Sequence, residues 1–231
     1  MGMQLDRPWL DSLYEEHLKS IPLETRASCD WGYSFFYCPV ARVETAKVGL
    51  IGLNPGGGGD PDDPPPPQNR SWDHRGFAYL DQPWGPGGTL NPLQVQIGRL
   101  LALTRCSEPE FFAAQLVPFR SPSWSRLPNA SRAIQIFEPA WRELFAASSV
   151  RIWFSLGYVA GDTARRWLGA GDWLEHESGW GRTKIKVARN AGGVVIVALP
   201  HLSRYKLFSQ TGARLVSAEK AVRDAVELAG L

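Results

Sequence analysis

Asn54 sits near the end of Val48-Gly-Leu-Ile-Gly-Leu-Asn-Pro-Gly56, and His201 sits in Val194-Val-Ile-Val-Ala-Leu-Pro-His-Leu-Ser-Arg-Tyr205. Both segments are β-branched apolar runs that stop abruptly at a polar, turn-forming cluster. Asn54 offers a carboxamide, which donates and accepts hydrogen bonds but cannot take up a proton as a carboxylate would. His201 offers an imidazole, which can donate to a group gaining negative charge. Ligands of open α/β sheets bind just beyond the carboxyl ends of strands. The two residues are therefore expected to face one cleft, and an enzyme is expected.

Positioning such a pair requires a sheet, and the chain supplies the pattern for one. Residues 9–20 space their apolar positions as an amphipathic helix. The spacing predicts strands at Val48–Leu53, Ala114–Val117, Val150–Leu156 and Val194–Leu199, the last a central one, with Lys184–Ala188 alternating like an edge strand. It predicts helices at Pro92–Thr104, with Asn91 as N-cap and proline in the first position, at Ala130–Ala147, disturbed at Pro139, at Val159–Leu168 and at Ala213–Leu228. Strands alternating with helices indicate one three-layer α/β/α domain over residues 1–231, around a mainly parallel four-stranded sheet. The long segment 54–91 contains Gly56-Gly-Gly-Gly59 and Pro64-Pro-Pro-Pro67, which form neither helix nor central strand. Loops of that length in compact domains are functional or disordered.

Composition narrows the class. The 231 residues are 44% hydrophobic and 21% charged, which suits one globular domain. Three cysteines (Cys29, Cys38 and Cys106) without CxxC spacing argue against a disulfide framework or a structural zinc, and fit a reducing cytoplasm. No run is long enough to span a membrane, and Met1 to Leu10 lacks a signal-peptide pattern. The net charge is only +2, but Ser178 to Ala218 holds seven Lys or Arg and no acid. Arg120, Arg126 and Arg132 likewise lie in an acid-free stretch. One positive face is expected, suited to a polyanion. Of ten tryptophans, Trp72, Trp84, Trp124 and Trp180 sit in polar, Pro/Gly-rich surroundings, where they either stack on bases or pack loops against the body.

With these segments placed, the chain resembles the uracil-DNA glycosylase superfamily. That superfamily has a strand followed by Gly-x-(Asp or Asn)-Pro, matched by Gly52-Leu53-Asn54-Pro55, and a strand followed by His-Pro-Ser or Asn-Pro-Ser, matched by His201-Leu202-Ser203. Between them, Gly76-Phe77-Ala78-Tyr79 matches a Gly-x-Ala-Phe-like segment, and Ala114-Gln115-Leu116-Val117 corresponds to a strand carrying a base-reading Asn. The resemblance implies a monofunctional glycosylase that hydrolyses the N-glycosidic bond of a pyrimidine flipped out of DNA. Two other readings are uracil repair alone and a non-catalytic DNA-binding module on the same fold.

The resemblance also assigns roles. Asn54 would orient the attacking water, its alternative being an Asx-turn before Pro55. His201, together with backbone N–H groups near Leu53 and Asn54, would stabilise the departing base anion. Tyr79 would be the stacking platform, with Phe77 as fallback or as a core residue. Gln115 would read the base edge, able through its amide to serve uracil or cytosine. Ser203, Arg204 and Lys206 would hold phosphates, and Tyr205 would be the wedge that fills the vacated stack. Gly56 replaces the Tyr that blocks C5 substituents in strictly uracil-specific members, so a pocket tolerant of 5-modified pyrimidines is expected. Some members excise bulky modified cytosines from bacteriophage DNA as an antiviral defence, and the pocket keeps that role open. No cofactor or metal is implied: the iron–sulfur members need four cysteines, and no Gly-Lys-Ser/Thr follows the glycine run. The expected partner is DNA, with no membrane, and the chain is expected to act as a monomer.

Overall fold

In the computed structural model, which describes residues 6–57, 69–209 and 211–231, the apolar runs become a sheet and the amphipathic ones become helices. In chain order the elements are α1 (Arg7–Lys19), α2 (Leu23–Arg26), β1 (Tyr33–Ser34), β2 (Val48–Gly52), β3 (Arg70–Ser71), α3 (Ala78–Asp81), α4 (Pro92–Ala102), β4 (Phe111–Gln115), α5 (Ala130–Ala147), β5 (Ile152–Leu156), α6 (Tyr158–Trp167), β6 (Leu174–Glu177), β7 (Lys184–Arg189), β8 (Val195–Leu199) and α7 (Ala213–Leu228). Short 3-10 turns join some of them. β1 and β3 pair as a separate two-residue ladder. The proline- and glycine-rich run from Gly58 to Gln68 lies outside the described residues.

The main sheet has the order β4-β2-β5-β8-β7-β6. β4, β2, β5 and β8 are mutually parallel, and every residue of these four strands is buried. Burial on both faces is why they read in sequence as unbroken apolar runs without alternation. Helices cover the sheet: α6 packs on β5 and β8, α7 on β6, β7 and β8, and α5 meets α1 and α6. The result is a mixed α/β fold compatible with α/β/α layering. Trp141 and Trp153 stand edge to face inside it, 5.9 Å between ring centroids.

The expected four-stranded sheet is corrected to six strands. The parallel core is extended by two antiparallel strands, so β7 is an interior strand and β6 the edge. β6 escapes a periodicity argument because its residues, Leu-Glu-His-Glu, are mostly exposed. It is held by charge instead: Glu175 and Glu177 stand directly opposite Lys186 and Lys184 and pair with them. Cross-strand pairs of opposite charge support pairing. The same contacts pair two of the cations expected on the positive face, Lys184 and Lys186, and Arg132 pairs with Glu16. Two boundaries also move: β4 begins at Phe111 rather than Ala114, and α5 continues through Pro139.

Helix α4 begins as its sequence dictates, with a capping box between Asn91 and Gln94 and Pro92 in the first position. Gln94 does more than cap. Its Nε2 donates to the carbonyls of Ala78, Tyr79 and Gln82, and its Oε1 accepts from Trp84 N–H, which fixes the 78–84 segment against α4.

Helix α1 buries His17, only 2% exposed, with its ring stacked 4.3 Å from that of Phe119 and its Nδ1 unpartnered among the described residues. Burial lowers its pKa from 6.5 to about 4. As the pH falls below 6.5 the unfolded chain takes up this proton before the folded one does. Stability is therefore full above that pH and declines down to about 4, by roughly 3 kcal/mol in total. Urea midpoints at about pH 7.5 and pH 5 should differ clearly for the native chain and much less for His17→Phe. His74 and His201, also lowered by burial, leave a residue of the same sign. An equal pH dependence in both proteins would refute the assignment to His17.

Candidate active site

The register of the sheet sets the site. Gly52 lies opposite Gln115, Ile51 opposite Ser155, and Leu156 opposite Leu199, so the four parallel strands end nearly level. The residues just past the strand ends (Leu53 and Asn54, the loop after Gln115, Gly157, and Pro200 and His201) are thereby delivered to one edge. A cavity of about 840 Å³ opens there. Leu53, Asn54, Gly56, Tyr79, Gln115, His201, Ser203 and Arg204 all line it. Tyr205 and Lys206 do not.

Asn54 is held by its amino group. Nδ2 donates to Pro55 O at 3.1 Å, to Ser121 Oγ at 2.9 Å and, more weakly, to Phe119 O at 3.5 Å. Carbonyl oxygens only accept, so the orientation of the amide is fixed. Oδ1 has no donor among the described residues and is available as an acceptor. Ser121, buried, is itself anchored through its hydroxyl to Ser123 O at 2.8 Å. This is more than an Asx-turn: the contacts reach 67 residues along the chain.

His201 begins a turn in which its carbonyl accepts from the N–H groups of Arg204 and Tyr205. Its Nδ1 lies 2.8 Å from Ser203 Oγ and 3.4 Å from Ser203 N. A backbone N–H can only donate, so Nδ1 accepts, and in the neutral ring the proton sits on Nε2. Burial, reinforced by the charge of Arg204, lowers the imidazole's pKa and keeps the ring neutral at physiological pH. Ser203, expected to hold phosphate, is the residue against which the ring sets its tautomer. Leu202 is 0% exposed, and its carbonyl accepts from the side chain of Gln96 on α4. Gln96 Oε1 accepts from Phe208 N at 3.3 Å, so one buried amide staples both ends of the loop. Gly157, at φ +115°, turns β5 into α6 beside the imidazole; a Cβ there would lie 3.5 Å from His201 Cδ2.

Gln115 is buried at the cavity floor. Its Nε2 donates to the Tyr79 hydroxyl at 3.3 Å, while Oε1 is buried without a partner among the described residues. A buried acceptor left unpaired costs free energy unless a ligand supplies a donor. Gly52 makes room for it, since a Cβ there would fall 2.1 Å from Oε1. Tyr79 is 3% exposed and stacked on Tyr37, with centroids 5.1 Å apart. It anchors Gln115 rather than offering an open stacking face, which revises the expected platform. Burial raises its pKa and keeps the hydroxyl protonated. Phe77 is a core residue. The open aromatic surfaces of the cavity belong to Trp84, 38% exposed, and half-buried Trp124.

Tyr205 is half-buried, edge-on to Trp180 at 6.1 Å, so the expected wedge packs against the body outside the cavity. Lys206 is exposed on the same loop. The most important residue without an assigned role in the sequence is Arg120, five positions after Gln115. It lines the cavity and donates through Nη1 to Gly56 O at 3.0 Å. Its only signal in the sequence is membership of an acid-free stretch.

Among the described residues, no group of three or more His, Cys, Asp or Glu is placed to hold a metal, and no helix is long and apolar enough to cross a membrane. No protein-family model matches the chain, and no curated protein matches it.

Proposed function

We propose that this chain is a DNA glycosylase of the uracil-DNA glycosylase type, hydrolysing the bond between deoxyribose C1′ and N1 of a flipped pyrimidine to leave an abasic site. The observation that carries the reading is the pairing, in one cavity, of an acceptor fixed at Asn54 Oδ1 with a donor fixed at His201 Nε2. The polarity of the pair suits the reaction. As the C1′–N1 bond lengthens, positive charge develops on the sugar and negative charge on the base. Nε2–H donates to the O2 of the departing base, and a preorganised donor of this kind stabilises the anion without reorganising. Asn54 Oδ1 accepts from the water and holds it for addition to C1′. Asn54 cannot keep the proton, so bond breaking runs ahead of water addition. The proton is released once the C1′–O bond has formed, and it neutralises the base anion through solvent.

Gln115 and Tyr79 read the base edge, with the unpaired Oε1 taking a base N–H, either N3–H of a uracil or the exocyclic amine of a cytosine. Arg204 at the cavity rim, with Lys206 beside it, grips phosphate. Trp84 and Trp124 supply the stacking surfaces. The open side at Gly56 extends the substrate class to 5-modified pyrimidines, hypermodified cytosines of bacteriophage DNA included. A cytoplasmic, monomeric enzyme completes the proposal.

The test is a panel of duplexes, each carrying one uracil, 5-hydroxymethyluracil, 5-hydroxymethylcytosine or glucosylated 5-hydroxymethylcytosine, incubated with the protein and treated with alkali. Scission at the modified position is expected for at least one 5-substituted base. Scission with uracil only would confine the enzyme to repair of deaminated bases. Tight binding without scission of any duplex would replace the enzyme with a DNA-binding module.

A further inference from the structure

Arg120 carries a guanidinium set into the wall of the cavity rather than at the tip of a surface loop. Its backbone N–H donates to Gly32 O at 3.0 Å and its Nη1 to Gly56 O at 3.0 Å, so both ends of the residue are tied down. Its Nε is buried and has no partner among the described residues. Tyr37 and His74 line the same cavity. A buried guanidinium donor without an acceptor is costly in a finished protein and useful in one awaiting a ligand. Among the described residues, a Cβ built on Gly56 would meet nothing within 4 Å.

We propose that Arg120 is a specificity-determining residue that hydrogen-bonds an oxygen carried on C5 of the flipped pyrimidine, a hydroxymethyl or glycosyl oxygen. The proposal rests on the glycosylase reading and on Gly56 marking the C5 side. A guanidinium offers several N–H donors in a fixed fork, and hydroxyl oxygens are acceptors suited to it. A methyl group or a hydrogen at C5 gives it nothing. A DNA phosphate presents the same acceptor chemistry, so the test must separate the two sources.

The decisive comparison is between 5-hydroxymethylcytosine and 5-methylcytosine in the same duplex, because they differ by one hydroxyl. The native enzyme should favour the hydroxymethyl base in kcat/KM. Arg120→Met, which keeps an unbranched stem and removes the donors, should lower that preference by about 10- to 100-fold. Arg120→Lys, which keeps a cation for the Gly56 carbonyl, should lose part of it. An unchanged ratio overturns the proposal. So does an equal fall on both bases with a shallower salt dependence, which would make Arg120 a phosphate ligand. If the native protein excises no base, the glycosylase reading fails separately. The assignment is then judged by quenching of tryptophan fluorescence with the free nucleosides. Preference for 5-hydroxymethyldeoxycytidine over 5-methyldeoxycytidine, lost in Arg120→Met, upholds it, and absence of any preference overturns it.

Discussion

Alanine at Asn54 or at His201 is expected to slow single-turnover excision by about 10²- to 10³-fold while duplex affinity stays within roughly threefold. The two effects have different origins. His201→Ala removes a preorganised donor to the departing base, and the loss falls on the step in which the base anion forms. Asn54→Ala removes the acceptor that holds water, and it also frees Ser121 Oγ and the Pro55 carbonyl, which Nδ2 now ties together. Neither side chain is a cation, so little binding energy to the phosphate backbone is lost. Asn54→Asp should not act as a simple replacement, because a carboxylate would face the Pro55 and Phe119 carbonyls, and the Ser121 hydroxyl would have to give up its bond to Ser123 O to donate to it. The pH profile of the native enzyme adds a check. Asn54 does not titrate, and His201, its pKa lowered by burial and Arg204, is already neutral above about pH 7. The rate constant should be flat from there to about pH 9. Unchanged turnover in both alanine variants would remove the mechanism, and a steep alkaline loss would mean that a different, titrating group carries the reaction.

The parts of this site that sequence discloses are those set by local rules. A β-branched run ended by Asn-Pro or Pro-His declares a buried parallel strand and its loop, so the meeting of Asn54 and His201 in one cavity is legible from the chain alone. Asn91-Pro92 with Gln94 declares a helix start, and α4 begins there. The hidden parts depend on contacts distant in sequence. β6 has no apolar face to register, and what marks it is the pairing of its glutamates with the lysines of β7 across the ladder. Arg120 is one arginine in a basic stretch until the fold brings it to Gly56, 64 residues earlier. Gln96 and Gln94 look like solvent-facing positions in a helical pattern, yet both are buried and tie down cavity loops. The charge asymmetry is legible only in part: counting Lys and Arg along a segment does not show that Lys184 and Lys186 meet the glutamates of β6. Motif position singles out Tyr79 and Tyr205, and only packing shows that Tyr37 covers one and Trp180 flanks the other.

Gly56→Tyr should convert a permissive pocket into a discriminating one, lowering kcat/KM for 5-hydroxymethylated pyrimidines by about 100-fold relative to uracil. The substitution is unusually clean to interpret. Gly56 is not among the residues of positive φ, whereas its neighbour Gly57 is, at +87°. Among the described residues, nothing lies within 4 Å of where the new Cβ would sit. Neither backbone strain nor a local clash should therefore destabilise the variant, and its thermal midpoint should match that of the native chain. A ring at position 56 would instead project from the loop that carries Asn54 and close the space next to Arg120. A pyrimidine with hydrogen at C5 needs none of that space, while a hydroxymethyl or glycosyl group does. Selectivity should thus come from exclusion rather than from any new attraction. It should be greatest for the glucosylated base, which has the most volume to lose. Equal losses on all substrates would place Gly56 in the structure of the Asn54 loop instead. No loss on any would mean that C5 points elsewhere, taking the permissive-pocket argument with it.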